Sequence, residues 1–483
     1  MHYIFRNFIF GLFSYFIGMK IKFIKKGFFY LSVGVIMVMF LVNCSNTFQN
    51  SSVKSIMIPA RDGILLATDL YFPSKESASY PIILIRTPYN KELLKDYGDY
   101  YSMQGYVTAI QDVRGKYASK GDWIPYISEG KDGYDVIEWL ANQKWSNGKV
   151  GMVGGSYSGS VQLAAAIEQP PHLTTIIPNI TPATPFNNTP YENGVFTLGS
   201  NFRWTDIVSG DISGMEMNTK FQEVFRKNWY NELNYLPVIS LENKFSVKNV
   251  GFWSDWIKNE PGARYFESID YLKNIENIKI PVFVQSGWFD VANRGAKLIY
   301  DELNSNGNKH TKLIMGPWVH SDRSSKQLGQ MYLGEDAGLD LFELYTKWFD
   351  YWLKGVDNGI LEEPMVQVFN IGPNKWVYAD NYPIKTSKKT KLYLSNNSNN
   401  KYSEKGKLVE FESLNNEGRT GYAYDPSNPT PGFPEFMKKN RFSEYRVMAD
   451  KRNDIIIFES ESLKDSLTIA GPISAVIYAS STA

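Results

Sequence analysis

Apolar residues gather in short runs without polar alternation, at 82–85, 106–110, 150–153, 175–177, 282–284 and 313–315. A strand alternates when one of its faces meets water. Runs without alternation suit strands covered on both faces, as in a parallel sheet. Between some of the runs the spacing becomes helical. In "KDGYDVIEWLANQ" (131–143), Val136, Ile137, Trp139 and Leu140 fall at helical spacing, and the helix is expected to stop before the turn signal Asn147-Gly148. Strands and helices alternating in this way predict an open α/β sheet.

The pattern changes twice. From about 184 to 271 the chain is rich in Asn, Trp, Phe and Met and reads as helical and irregular. This stretch lies between two sheet strands, so it is expected to be an insertion covering one sheet edge. After about 388 come "KLYLS" (391–395), "DIIIFES" (454–460), "SLTIAG" (466–471) and "ISAVIYAS" (473–480), strand-like and separated by turn-rich segments. That is an all-β signature. A length of 483 residues agrees with two or three domains.

Charge changes the picture at the N-terminus. Residues 1–44 hold Arg6, Lys20, Lys22, Lys25 and Lys26 and no acid, so the formal charge of +1 hides a remainder of 46 basic against 50 acidic residues. Nothing in that balance favours nucleic acid. Lys25 and Lys26 precede the apolar run "GFFYLSVGVIMVMFLV" (27–42), which is short beside the roughly 20 residues of a membrane span. A basic stretch followed by such a run reads as an export signal. "MKIKFIKKG" is a conventional signal start, so translation is expected to begin at Met19. "LVNC" resembles the lipobox of bacterial lipoproteins. The resemblance implies that Cys44 is lipid-modified and anchors an exported protein on the periplasmic or cell-surface side of a membrane. Asn43 departs from the small residue usual before that cysteine, so an uncleaved anchor and an ordinary signal peptide stay open. Residues 45–55 read as a linker. Cys44 is the only cysteine, which excludes an intrachain disulfide.

Candidate chemistry centres on "KVGMVGGSYSGS" (149–160), an apolar strand, a glycine-rich corner and a small-residue helix start. A strand leading through Gly-x-Ser into a helix is the nucleophile-elbow context of α/β-hydrolases. Ser156 then sits at a helix N-terminus, where backbone N–H groups can stabilise an oxyanion. The glycine after the serine arrives one place late, at Gly159, so the corner alone leaves a plain structural turn open. A serine hydroxyl needs a base, and the chain has four histidines. His2 lies in or before the signal, His172 follows two prolines, and His310 sits in a polar loop before a strand. His320, in "MGPWVHS", leaves the end of a late apolar run. Asp290, in "VFVQSGWFD", leaves the end of another. The order Ser156, Asp290, His320 is the α/β-hydrolase order.

These residues resemble the Xaa-Pro dipeptidyl-peptidase and cocaine-esterase-like serine hydrolases, peptidase family S15, a group that also includes glutaryl acylases and α-amino-acid ester hydrolases. The resemblance spans about 56 to 480. It is carried by "RTPYNK" (86–91), "QDVRGKYASKGDW" (111–123), "GYDVIEWLANQKWSNGKVGMVGGSYSG" (133–159), "SGWFD" (286–290), "GPWVHS" (316–321) and "KWFDYWLKGVDNGI" (347–360). It implies Ser156 as nucleophile, Asp290 as acid, His320 as base, the Tyr89 phenol as one oxyanion donor and the Tyr157 backbone N–H as the other. Asp112 and Arg114 match a family loop and are expected to form a structural ion pair. The implied architecture is an α/β-hydrolase domain in two pieces, 56–183 and 272–387, with a helical cap at 184–271 and a β jelly-roll domain over 388–483. A complete jelly roll has eight strands, and the family domain is longer than this stretch. The jelly roll is therefore expected to be incomplete, with the protein truncated or paired with another polypeptide.

The expected activity is hydrolysis of ester or acyl-amide bonds through a Ser-Asp-His triad and an acyl-enzyme, on a small-molecule or short-peptide acyl substrate. No cofactor or metal is called for, since no H-E-x-x-H or similar spacing occurs. A serine-type Xaa-Pro dipeptidyl-peptidase is the alternative; it would need carboxylates to grip a free amine, and Glu192 in "PYENG" is a weak candidate. A non-catalytic binding lipoprotein on a hydrolase scaffold is a further alternative. Oligomeric state is not readable.

Overall fold

The computed structural model describes residues 52–210, 230–244, 251–320, 324–396, 405–411, 420–431 and 442–482. The expected export signal and Cys44 lie outside them. Ten strands form one sheet: β1 (Ser52–Pro59), β2 (Leu65–Phe72), β3 (Tyr80–Thr87), β4 (Val107–Asp112), β5 (Ser146–Gly155), β6 (Leu173–Asn179), β7 (Val282–Phe289), β8 (Thr311–Val319), β9 (Val366–Asn370) and β10 (Lys375–Ala379). Their order is β1-β2-β4-β3-β5-β6-β7-β8-β9-β10. Neighbours from β4 across to β9 run parallel, and the edges are antiparallel. The six apolar runs fall in or against the parallel strands.

Among the described residues, helices flank or follow these strands, including α1 (Lys95–Met103), α2 (Glu129–Ala141), α3 (Tyr157–Ile167), α4 (Leu198–Val208), α5 (Gly251–Lys258), α6 (Asn293–Ser305) and α7 (Leu341–Phe349). The period of two along a strand sends alternate residues to opposite faces. Ile82 and Leu84 of β3 join a core with Val136 and Leu140 of α2, Val161 of α3 and Ile299 of α6. Ile83 and Ile85 join the opposite core, with Tyr101 of α1 and Trp348 and Phe349 of α7. Both faces are dry, which is why the sequence shows no alternation.

Helix α3 is buried from Tyr157 to Ala166. A helix wedged in this way has little room for side chains, and its sequence supplies Gly, Ser and Ala. At Gly159 a Cβ would lie 1.7 Å from Thr181 Oγ1. The late glycine is therefore a packing requirement between α3 and the chain leaving β6.

Between β6 and β7 the described residues are mostly helical: α4, α5 and 3₁₀ turns at 238–244, 264–269 and 271–277. Phe202, Trp253 and Trp256 are buried there and belong to the same core as the sheet. C-terminally, β11 (Tyr393–Ser395), β12 (Gly406–Val409) and β13 (Phe458–Glu459) make a three-stranded sheet.

Two details of the C-terminal part differ from the sequence pattern. Helix α8 (Phe442–Lys451) lies inside the stretch read as all-β; its run of Glu, Arg, Met, Ala and Lys favours helix. The strand-like segments 466–471 and 473–480 join no ladder among the described residues, and Ile473 is 82% exposed and Tyr478 98%. A strand is a pairing, and pattern alone marks only a segment able to pair.

Candidate active site

Strand β5 ends at Gly155 and α3 starts at Tyr157, with Ser156 between them. Its backbone sits at φ 60, ψ −124. Residues other than glycine enter such regions at a cost of roughly 1–3 kcal/mol. The corner is held from both sides: Ser156 N–H donates to Asn179 O at 2.9 Å, and Ser156 O accepts from Gly159 N at 2.9 Å and Ser160 N at 3.1 Å. The serine hydroxyl is thereby lifted beyond the end of β5. The N–H of Tyr157, at the first helical position, has no partner within the helix, as is general for that position.

Asp290 and His320 follow the ends of the neighbouring parallel strands β7 and β8. The strand ends approach closely at Gly287, where a Cβ would lie 2.3 Å from Trp318 O. The Asp290 side chain is buried and the His320 ring is partly exposed. His320 Nδ1 and Asp290 Oδ1 are 2.9 Å apart. Asp290 Oδ1 also accepts from Ala292 N–H at 2.7 Å, and its Oδ2 from Ser286 Oγ at 3.3 Å. A carboxylate can only accept, so the imidazole hydrogen belongs on Nδ1 and the Nε2 lone pair is free to act as a base.

Tyr89 lies in the loop after β3, where the neighbouring Ser156 side chain influences its titration. Burial pushes its phenol pKa up, against the influence of Trp204 and Ser156. The group therefore stays a neutral O–H donor. Trp204 of α4 donates its indole N–H to Tyr89 Oη at 3.0 Å. The Tyr157 ring is clamped beneath. Its hydroxyl donates to Glu129 Oε1 at 2.7 Å and accepts from Tyr126 N–H at 2.9 Å and Trp123 Nε1 at 3.2 Å. Glu129 is held by the buried Arg86, whose Nη1 lies 3.0 Å from Oε2. Burial raises the Glu129 pKa, and Arg86 and Tyr157 oppose the rise. The residue that presents the helix N–H is thus fixed by a buried polar network.

This constellation lies wholly within residues 62–322, which match the model of the X-Pro dipeptidyl-peptidase (S15) family over more than half of the chain. The chain belongs to this family. Residues 358–483 of the S15 hydrolase match the X-Pro dipeptidyl-peptidase C-terminal non-catalytic domain. The hydrolase is 25% identical over 464 residues to the cocaine esterase of Rhodococcus sp. (strain MB1 Bresler), covering 90% of this chain and 79% of that relative. It is 25% identical over 303 residues to the Xaa-Pro dipeptidyl-peptidase of Ligilactobacillus salivarius (strain UCC118), covering 57% of this chain and only 34% of that longer protein. Its fold superposes on the solved structure of an α-amino-acid ester hydrolase with a TM-score of 0.70 at 24% identity, over 88% of this chain and 75% of that one.

Around the S15 site one expectation is corrected. Asp112 and Arg114 do not pair with each other. Asp112 Oδ1 accepts the Lys91 backbone N–H at 2.8 Å and so tethers the Tyr89 loop to β4. Arg114 instead pairs with Asp132 at 2.6 Å and Asp62 at 2.7 Å. Buried at the end of β4, Asp112 has its pKa pushed up to about 6. Glu192 lies 3.1 Å from Arg294. His172 pairs with Glu138 at 2.7 Å, and His310 packs on the Trp352 ring. Cys44 lies outside the described residues. Sequence reasoning missed Trp204, Ser286, Arg86 and Glu129. Arg86 lay in a quoted motif without a role and Glu129 was not singled out, since the burial that pairs them appears only in the fold. Trp204 was one aromatic among many in its segment.

Proposed function

We propose that this S15 hydrolase cleaves ester and acyl-amide bonds through an acyl-enzyme on Ser156. The observation that carries the reading is the strained Ser156 corner at φ 60, ψ −124, set at the C-terminal end of its strand like the His320–Asp290 pair on the parallel strands β7 and β8. In the proposed reaction His320 Nε2 takes the Ser156 proton as Oγ bonds to the substrate carbonyl carbon. The Tyr89 O–H and the Tyr157 N–H receive the oxyanion. Asp290 keeps the imidazole in the required tautomer and stabilises the imidazolium. The imidazolium then gives its proton to the leaving alcohol or amine as the carbonyl–leaving-group bond breaks. Water, deprotonated by His320, releases the acid and regenerates the serine.

Ester and acyl-amide substrates are favoured over Xaa-Pro peptides by the length matched to the cocaine esterase and by the engagement of Glu192 with Arg294, which leaves that carboxylate a poor grip for a substrate amine. The test is labelling of the folded protein with a fluorophosphonate probe. Labelling that Ser156→Ala abolishes supports the reading, and a wild type that does not label defeats it. A panel of short acyl esters, aryl amides, amino-acid esters and Ala-Pro anilide then ranks the substrate classes. Turnover of the anilide above all others would favour the peptidase alternative.

A further inference from the structure

We propose that Trp204 is a positioning residue for the oxyanion donor, its indole N–H at 3.0 Å fixing which way the Tyr89 hydroxyl points. An indole nitrogen can only donate, so at this contact the phenol oxygen must accept. A phenol hydrogen prefers the plane of its ring, which gives it two positions. A hydrogen turned toward the indole would meet the indole N–H, so that direction is closed to it. The hydrogen is left to point toward Ser156, where the oxyanion forms. Donation into the phenol oxygen also polarises its O–H and strengthens it as a donor.

The indole is itself held in place. Its ring stacks on Tyr157 at 6.1 Å and 16°, on Tyr126 at 6.2 Å and 11°, and on Trp256 of α5 at 5.6 Å and 14°. One side chain therefore touches both residues that carry the proposed oxyanion donors. The carbonyl of Val208, at the C-terminal end of the same helix α4, accepts from the buried Lys116 Nζ at 3.0 Å. The helix that carries Trp204 is thus tied at its C-terminal end to the loop after β4.

The inference rests on the proposed role of Tyr89, and the experiment separates the two. Wild type, Trp204→Phe, Tyr89→Phe and the double variant are compared on p-nitrophenyl acetate. Tyr89→Phe is expected to lower kcat by about 10²–10³. Trp204→Phe, which keeps an aromatic ring, is expected to lower kcat about tenfold, the scale of one hydrogen bond, with KM nearly unchanged. In the Tyr89→Phe background the same change is expected to have no further effect. Replacement of Trp204 by benzothienylalanine, which matches indole in shape but lacks the N–H, is expected to reproduce the loss and keeps the test valid should the Phe variant fold poorly. An unchanged kcat with benzothienylalanine, or a Trp204 effect that persists without the Tyr89 hydroxyl, overturns the inference and leaves the proposed function standing. An unchanged kcat in Tyr89→Phe removes the oxyanion role and the inference together.

Discussion

Ser156 keeps a backbone conformation that most side chains avoid, and the hydrogen bonds to Asn179, Gly159 and Ser160 hold it there. Asp290 has a comparable constraint in its side chain, with Oδ1 receiving both the His320 ring and the Ala292 N–H. An asparagine at 290 could present its amide N–H to the ring and favour the wrong tautomer. Asp290→Asn is therefore expected to lower kcat by about 10⁴ with little change in KM, measured on any ester the wild type turns over. Asp112 supplies a pH-dependent term. Its folded pKa is raised to about 6, chiefly by burial, above the roughly 3.9 of a free Asp. A raised carboxylate favours the folded state while protonated. Its contribution is complete below the unfolded value and is lost as pH rises through about 6. Asp112→Asn cannot ionise, so its stability relative to wild type is expected to improve between pH 4 and pH 8 by on the order of 2 kcal/mol. Urea titrations at the two pH values check this, and a difference that does not change with pH would refute it.

At the scale of elements, α3 is the least tolerant. Gly159→Ala places a methyl where Thr181 already stands. Overpacking of this kind costs about 1–3 kcal/mol, and a lowered urea midpoint at unchanged slope is the expected result. Much of this layer was legible beforehand. The parallel strands announced themselves as unalternating runs because both of their faces are dry, and α2 showed its apolar side. The antiparallel edges β1, β2, β9 and β10 were not recognised. In the tail, segments 466–471 and 473–480 carry a β pattern but pair with no strand among the described residues. Site residues at strand ends could be ordered along the chain, since the fold fixes where such ends lie. Trp204 could not be found that way, because its role depends on a contact 115 residues distant in sequence.

For the whole molecule, the proposed catalytic groups come from the ends of β3, β5, β7 and β8, while the group that orients the phenol comes from the segment inserted between β6 and β7. Export and anchoring belong to this scale as well, and we propose that a lipid on Cys44 holds the protein at the membrane. Cys44→Ser is expected to move activity from the membrane fraction to the soluble fraction of the producing cell. Activity that stays with the membrane would point to an uncleaved anchor instead. The stacked pair Trp204 and Trp256 has a practical consequence. Trp256 is buried while its stacked neighbour Trp204 is partly exposed, so the two indoles meet water unequally. A substrate that settles against Tyr89 would shield the exposed part of Trp204 first, and its arrival is expected to move the wild-type emission but not that of Trp204→Phe.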